Sequence, residues 1–198
     1  MSSYELILFD IGGLFMKLGG MPIFMEWTGM EPEAIMHGWL SDENVIAYET
    51  GKVDTPAFAE QLVSDWQLPV DRDTLVAEMR SWPGLYPGSI EFLNKVREKI
   101  PIACLTNMNP LQWPTFSQKT GLGDCFNHQF VSYEIGFVKP FREAYDYVLT
   151  SLDLAPESIL FFDDCLPNVE AGQTIGMECY HVKDIASMQV ILQEKGMF

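Results

Sequence analysis

Five short, mainly apolar runs stand out along the chain, and each has the length of a β-strand. They are Tyr4–Phe9, Ile100–Leu105, Phe126–Ser132, Ser158–Phe162 and Met177–Val182. None shows the strict alternation of apolar and polar residues that is typical of a sheet with one solvent-exposed face. The pattern is typical of strands that are buried on both faces of a parallel sheet.

Segments with helical spacing of apolar residues lie between these runs. Ser89–Lys99 is one, and residues 141–152 carry the clearest apolar stripe, with repeats at three and four positions. Asn168–Ile175 runs into Gly176, a residue type typical of helix ends, and Asp184 is a predicted N-cap for the last helix. Strands and helices that alternate from about residue 84 onward predict an α/β fold, with a doubly wound, mostly parallel, Rossmann-like sheet.

The interval from residue 15 to residue 82 breaks this alternation. It contains no convincing strand, but it has helical segments, one of them predicted to begin with Thr55 as N-cap and Pro56 at the first helical position. A helix end is predicted at Tyr48–Gly51. The sequence therefore predicts an all-α cap domain, residues 15–82, inserted after the first strand of a core domain made of residues 1–14 and 83–198.

The charge balance limits the partners of this chain. Its 28 acidic and 12 basic residues give a formal net charge of −16. Nucleic acids and anionic membranes bind basic surfaces, so neither is an expected partner. A phosphorylated ligand would need local positive charge from a metal ion, a lysine and backbone N–H groups.

The cysteines and the hydropathy pattern predict a cytoplasmic protein. The four cysteines form no CxxC pair, which favours buried, reduced thiols. No signal peptide is visible, and no run approaches the roughly 20 apolar residues of a membrane span. The expected partner is a small phosphorylated metabolite, and the chain is expected to be a monomer or a homodimer.

Polar residues follow the first two predicted core strands, where ligands bind to open parallel sheets. Asp10 comes directly after the first strand, and Thr106 and Asn107 come after the second. Asp10 could form a turn, and Thr106 with Asn107 could cap a helix, because these residue types favour both places. Alternatively, these residues take part in catalysis. Asp10 would then be a carboxylate nucleophile, and the hydroxyl and N–H groups at Thr106 and Asn107 would hold phosphate oxygens.

The next two junctions carry a lysine and a pair of aspartates. Lys139 precedes Pro140, which is predicted to open a helix, and Asp163 and Asp164 close an apolar strand. Two adjacent carboxylates at the end of a buried strand repel each other unless a cation compensates, and Mg²⁺ prefers carboxylate oxygens. Lys139 is either a solvated surface residue or a charge partner for the nucleophile and the phosphate.

Taken in order, these segments resemble the four motifs of the haloacid dehalogenase-like (HAD) hydrolases. The segments are ILFDIGG, ACLTN, GFVKPFREAY and ILFFDDCLPNVEAGQTIGM. The similarity spans nearly the whole chain, and it is greatest to phosphatases with small helical caps, a subgroup that includes bacterial glucose-1-phosphate phosphatases. The resemblance implies a Mg²⁺-dependent phosphatase that acts on a small phosphomonoester, with a sugar phosphate as the expected class.

The resemblance also implies a role for each metal-binding position. Asp10 would attack phosphorus, form an aspartyl-phosphate and ligate Mg²⁺. The backbone carbonyl of Gly12 would be a second ligand, Asp163 would ligate the metal directly, and Asp164 would do so directly or through water.

Three further positions are implied to bind the phosphoryl group. Thr106 and the amide of Asn107 would hold its oxygens. Lys139 would pair with both Asp10 and the phosphate.

One position departs from the family pattern. Phosphatases of this family commonly carry a second aspartate as general acid where this chain has Gly12, and such help is worth roughly 10²–10⁴-fold. The leaving group could need less protonation, as an anomeric sugar hydroxyl does, with a water, the substrate, Glu49 or His37 replacing the acid. Alternatively, the chain could be a haloacid dehalogenase, which needs no Mg²⁺ and would leave Asp163 and Asp164 without a purpose, or a non-catalytic binding module.

Overall fold

The computed structural model describes residues 4–82 and 84–198. In chain order, its strands are β1 (Leu6–Phe9), β2 (Met16–Lys17), β3 (Gly84–Leu85), β4 (Ile102–Thr106), β5 (His128–Val131), β6 (Ile159–Asp163) and β7 (Glu178–His181). Five of them form a sheet in the order β5-β4-β1-β6-β7, in which every neighbouring pair is parallel. Each predicted strand is present, and the predicted α/β fold class is confirmed.

Eleven helices are described around and beside this sheet. They are α1 (Met21–Thr28), α2 (Pro32–Ser41), α3 (Glu43–Glu49), α4 (Thr55–Asp65), α5 (Arg72–Ser81), α6 (Ser89–Arg97), α7 (Trp113–Thr120), α8 (Ser132–Ile135), α9 (Arg142–Leu152), α10 (Leu166–Ile175) and α11 (Ile185–Glu194). None of the helices in the described residues is both long enough and apolar enough to cross a bilayer.

The central strand β1 is buried on both faces of the sheet. Ile7 and Phe9 belong to one hydrophobic cluster, and Leu6 and Leu8 belong to a second cluster on the opposite face. This division follows from the two-residue period of a strand. It explains why the strand is apolar throughout, because every residue in it needs an apolar neighbour.

The predicted helix starts at Thr55 and at Pro140 are wrong. The N-cap of α4 is Asp54, whose side chain accepts a hydrogen bond from the N–H of Ala57 at 2.9 Å, so Thr55 and Pro56 are the first two helical residues. Pro140 does not open α9, which begins at Arg142. By contrast, the predicted cap at Asp184 is confirmed, since its carboxylate accepts from the N–H of Ser187 at 2.7 Å.

Helices α1–α5, which we call the cap helices, pack around a third hydrophobic cluster, to which Leu111 also contributes from the loop before α7. Tyr48 and Phe58 stack there at a centroid distance of 4.0 Å. Phe24 contacts four tryptophan rings edge-on, those of Trp27, Trp39, Trp66 and Trp82. The separate cluster explains how so few residues can form a compact layer over the sheet.

The chain passes from the sheet to the cap helices and later returns, and the two passing segments pair as a two-stranded antiparallel ribbon, β2 with β3. Met16 pairs with Leu85, and Lys17 pairs with Gly84. The prediction that residues 15–82 contain no strand is wrong at β2, because a strand of two residues carries no periodicity. Phe15, the first residue of the predicted cap domain, packs against Phe9 beside the sheet. Pro83, the first residue after that predicted domain, lies outside the described residues. The division into core and cap domains remains a prediction.

Candidate active site

The candidate site lies at the carboxyl ends of β1, β4 and β6. Asp10 directly follows β1, while Thr106 and Asp163 are the last residues of β4 and β6. A cavity of about 210 Å³ opens between these strand ends and the cap helices. Asp10, Gly12, Thr106, Asn107, Lys139 and Asp164 line it. The structure therefore brings the predicted residues from all four junctions to one place, with Asp163 buried directly behind the cavity wall.

Lys139 is the charge centre of the site. Its ammonium nitrogen lies 2.6 Å from Asp10 Oδ1 and 2.6 Å from Asp163 Oδ2, and its side chain is almost fully buried. The alternative of a solvated surface lysine is thus wrong. Burial disfavours the charged form of Lys139, but the attraction of Asp10 and Asp163 outweighs it and raises the pKa of the ammonium.

Asn107 fixes the loop that carries this lysine. Its Oδ1 accepts a hydrogen bond from the backbone N–H of Lys139 at 2.8 Å, and its Nδ2 donates to the Lys139 carbonyl at 2.8 Å. Ser132 makes a similar paired contact with the backbone of Met108, at 2.9 Å in each direction. The side chain of Asn107 is therefore committed to the protein, and only its backbone N–H remains for a phosphate oxygen.

Asp163 is held by donors that the sequence analysis did not identify as functional. The Nδ2 of Asn168 lies 3.1 Å from both carboxylate oxygens, and the N–H of Cys165 donates to Oδ1 at 2.8 Å. Together with Lys139 these contacts occupy the four lone-pair positions of a carboxylate. Asp164, which is partly exposed and lines the cavity, is consequently better placed than Asp163 to ligate a metal directly.

The local signal for Asn168 was its position, five residues after Asp163 and inside the first turn of α10. Asparagine is uncommon inside helices, because its side chain competes for backbone groups. The hydroxyl of Tyr145 in turn donates to the carbonyl of Asn168 at 2.8 Å. Asn168 thus binds Asp163 through its side-chain amide and Tyr145 through its backbone carbonyl.

Asp10 and Asp164, the two aspartates that line the cavity, are destabilised as anions by their surroundings. Burial raises the pKa of Asp10 to about 7; Lys139 opposes this change, while Asp163 and Asp164 add to it. Burial and the charge of Asp163 raise the pKa of Asp164 to about 6. Three carboxylates against one ammonium leave excess negative charge, which a divalent cation would neutralise.

The donor set fits Mg²⁺. One oxygen from each of Asp10, Asp163 and Asp164 lies within 4.8 Å of the others, so Asp10 and Asp164 can ligate one ion while the charge of Asp163 lies beside it. The carbonyl of Gly12 accepts a hydrogen bond from the N–H of Leu14 at 2.8 Å and keeps a second lone pair. Carboxylate and carbonyl oxygens are the ligands that Mg²⁺ prefers.

Gly13 is needed next to this cluster for two reasons. Its φ of +71° is costly for any residue with a Cβ, and a Cβ built there would lie 1.9 Å from Asp164 Oδ2. We expect Gly13→Ala to displace the Asp164 carboxylate and to raise the Mg²⁺ concentration for half-maximal activity by about 10- to 100-fold, the usual cost of disturbing the surroundings of a metal ligand.

Gly121→Ala is a matched control for that experiment. Gly121 has nearly the same φ, +70°, but nothing lies within 4 Å of its Cβ position. Both variants should lose on the order of 1 kcal/mol of stability in thermal unfolding from the unfavourable backbone conformation, and only Gly13→Ala adds the close contact with Asp164. An unchanged Mg²⁺ requirement in Gly13→Ala would show that Asp164 does not bind the metal.

The two weak candidates for the missing acid occupy different places. Glu49 is buried at the end of α3 and lines the cavity. His37 is exposed on α2 and does not line it, which excludes it from the chemistry in this arrangement.

Comparisons with known proteins agree with this geometry. Residues 4–176 match the sequence model of a protein family described as haloacid dehalogenase-like hydrolase. A D-ribitol-5-phosphate phosphatase from Bacteroides thetaiotaomicron is 23% identical over 187 residues, which cover 88% of this chain and 89% of that protein. A sesquiterpene phosphatase from Aspergillus oryzae is 25% identical over 187 residues, with 92% of each chain covered.

Solved structures show the same fold. A HAD family enzyme from Bacteroides thetaiotaomicron, in complex with magnesium and inorganic phosphate, has a TM-score of 0.71 and 21% sequence identity. The alignment covers 89% of this chain and 93% of that one. An L-2-haloacid dehalogenase from Xanthobacter autotrophicus, with chloropropionic acid covalently bound, has a TM-score of 0.65 and 17% identity, over 98% and 84% of the two chains.

Proposed function

Because this chain belongs to the haloacid dehalogenase-like hydrolases, we propose that it is a Mg²⁺-dependent phosphatase that cleaves a small phosphomonoester through an aspartyl-phosphate on Asp10. The observation that carries the proposal is the position of Asp10. Its Oδ1 is held by Lys139, and it faces a cavity beside two further carboxylates. A nucleophile, a fixed cation and a metal site are the groups that phosphoryl transfer needs.

The proposed reaction has two steps. Oδ2 of Asp10 attacks phosphorus, the bond from phosphorus to the leaving oxygen breaks, and that oxygen takes a proton and departs as the alcohol; the water of the second step gives a proton back. Water then attacks the aspartyl-phosphate, which releases phosphate and restores the carboxylate. Lys139 holds Oδ1 of the nucleophile throughout, while Thr106 and the N–H of Asn107 bind phosphoryl oxygens.

Bound Mg²⁺ would neutralise charge on the phosphoryl group and orient it. Asp10, the carbonyl of Gly12 and Asp164 would hold the ion. Asp163, whose oxygens are occupied by Asn168, Cys165 and Lys139, would contribute its charge, and it could ligate directly only by releasing one of these donors.

Two classes of substrate have support. A sugar or sugar-alcohol phosphate is favoured by the ribitol-5-phosphate phosphatase among the relatives, and an anomeric phosphate by the absence of an acid at Gly12. An ester with an apolar group is favoured by the cavity wall and by the sesquiterpene phosphatase. That wall is largely apolar, formed by Met16, Leu18, Met21, Phe24, Ile35, Met36, Trp39, Leu40, Trp82 and Met108.

A dehalogenase is the less favoured reaction, although a dehalogenase shares the fold. Halide leaves without a metal ion, so the cluster of Asp10, Asp163 and Asp164 would only add repulsion around the nucleophile. The expected cytoplasmic location and the absence of macromolecular partners also remain predictions.

A screen for phosphate release tests the function. We expect turnover of at least one ester among sugar phosphates, alkyl and isoprenyl phosphates, nucleotides and p-nitrophenyl phosphate, with Mg²⁺ present. EDTA should abolish it, because the carboxylate cluster then lacks its cation, and added Mg²⁺ should restore it. Chloride release from 2-chloropropionate with EDTA present would instead support a dehalogenase. Mg²⁺ binding without turnover of any compound would support a binding module.

A further inference from the structure

Glu49 is a buried carboxyl group that the proposed reaction has not used. It is the last residue of α3, is 8% exposed and lines the same cavity as Asp10 and Lys139. The indole N–H of Trp39 donates to Oε1 at 3.2 Å. In the described part of the chain no donor contacts Oε2. This oxygen is nevertheless not fully enclosed by protein. The second oxygen therefore keeps some solvent access, on a residue that lines the cavity.

The environment of Glu49 favours its protonated form. No cation lies within ion-pair distance among the described residues, and the positive charge that acts on it is that of Lys139. Burial raises the pKa of this carboxyl to about 7, while the bond from Trp39 and the charge of Lys139 partly oppose the rise. A carboxyl that keeps its proton near neutrality in a substrate cavity is suited to general acid catalysis.

The loop after Asp10 offers no other acid. At Gly12 a Cβ would meet Leu18 Cδ2 at 3.2 Å and Asp10 Oδ2 at 3.7 Å, so that position faces the nucleophile but has no side chain. The other titratable groups of the cavity are Asp10, Lys17, Lys139, Asp164 and Cys165. Asp10, Lys139 and Asp164 already have roles in the proposal.

The two remaining groups are poor candidates. Lys17 is exposed at the mouth of the cavity, where its ammonium lies 5.8 Å from the ring centre of Tyr86. Cys165 has a thiol whose pKa is raised, mainly by burial, and thiols are not usual proton donors to alkoxides.

We propose that Glu49 supplies from the cap helices the proton that the core loop lacks at Gly12, an inference that rests on the proposed phosphatase function. In the first step, the electron pair of the breaking bond from phosphorus to oxygen stays on the leaving oxygen. The carboxyl proton of Glu49 moves to that oxygen, the alcohol departs, and Glu49 is left as a carboxylate. In the second step, this carboxylate takes the proton of the attacking water, so the cycle ends with Glu49 protonated and phosphate released.

The test compares leaving groups in the variant Glu49→Gln. Glutamine keeps the size of the side chain and its acceptor for Trp39, but it has no transferable proton. kcat/KM reports the steps up to alcohol release, so it isolates the first proton transfer. We expect kcat/KM for an alkyl phosphate to fall by about 10²- to 10⁴-fold, and kcat/KM for p-nitrophenyl phosphate, whose leaving group needs no proton, to change by less than about tenfold.

Two controls separate chemistry from folding. Glu43→Gln changes an exposed glutamate on the same helix and should leave both substrates unaffected. Glu49→Ala in the presence of formate should recover activity towards the alkyl phosphate but not change that towards p-nitrophenyl phosphate, because a small acid can enter the space of the missing carboxyl group.

The outcomes distinguish this inference from the proposed function. An equal loss on both substrates in Glu49→Gln, or no loss on either, would overturn the role of Glu49 while the wild-type activity would still support a phosphatase. If the wild-type protein hydrolysed no ester, the proposed function would fail, and the role of Glu49 would fail with it.

Discussion

Asp10→Asn is expected to reduce phosphate release by about 10⁴-fold or more, because a covalent route cannot proceed without its nucleophile. The amide keeps the shape of the side chain and can still accept a hydrogen bond from Lys139, so binding should be affected less than turnover. Steady-state phosphate release with the best ester of the screen measures the loss. Rapid quenching of the wild-type protein, followed by mass determination of the peptide that contains Asp10, should show added phosphate that the variant lacks.

The stability of the same variant provides its control. The raised pKa of Asp10, about 7 against an ordinary value near 4, means that the folded protein binds this proton more tightly than the unfolded chain. Metal-free wild-type protein therefore loses stability as pH rises from about 4 to about 7, and an asparagine has no such dependence. At pH 8 without metal, Asp10→Asn should unfold at a temperature no lower than that of the wild type. Substantial phosphate release by a folded variant would disprove the nucleophile.

Lys139→Met is expected to have the second largest effect, on both stability and activity. The substitution leaves Asp10 and Asp163 buried without the ammonium that lies 2.6 Å from each. Removing one partner of a buried ion pair costs about 3–5 kcal/mol. Turnover should fall by roughly 10²- to 10³-fold or more, since a fixed positive charge beside the reacting phosphate is lost. Urea unfolding and phosphate release measure the two effects.

The effect of Lys139→Met on stability should depend on pH. Wild-type Lys139 has a raised pKa, so its stabilising charge is present throughout the range from pH 5 to pH 9. Without it, Asp10 loses the charge that opposes the rise of its pKa, so it binds its proton still more tightly in the folded state than in the unfolded chain. The stability difference from the wild type should therefore shrink as pH falls from 8 to 5. Lys119→Met, which changes an exposed lysine of α7, should show neither effect. A stability difference that stays constant across this pH range would contradict the buried ion pairs of Lys139 with Asp10 and Asp163.

The three central strands of the sheet, β4, β1 and β6, could be predicted from the sequence because they are buried along their whole length, whereas the edge strands β5 and β7 are partly exposed. A strand such as β6 has no solvent-facing side, so ILFF must be apolar at every position, and the chain shows this directly. The end of each strand could likewise be located, because Asp10, Thr106 and Asp163 interrupt apolar runs. Their convergence followed from the rule that parallel strands share one carboxyl edge.

The contacts that hold the site could not be predicted in the same way. Asn107 binds the backbone of Lys139 from 32 positions away, and no local pattern indicates which loop will approach it. The sequence predicts Asn168 only as a residue of a helix. Its contact with Asp163 arises because the chain turns between β6 and α10. Glu49 could be named from the sequence only as one candidate beside His37, since its burial depends on how α3 lies over the sheet.

The aromatic cluster around Phe24 has a spectroscopic consequence. Four of the five tryptophans surround this ring among the cap helices, whereas Trp113 belongs to α7, beside the sheet. Intrinsic fluorescence of this protein is therefore dominated by one half of its structure. Far-ultraviolet circular dichroism reports helices and strands from both halves, so a mismatch between the two signals during unfolding would reveal that the cap helices and the sheet melt separately.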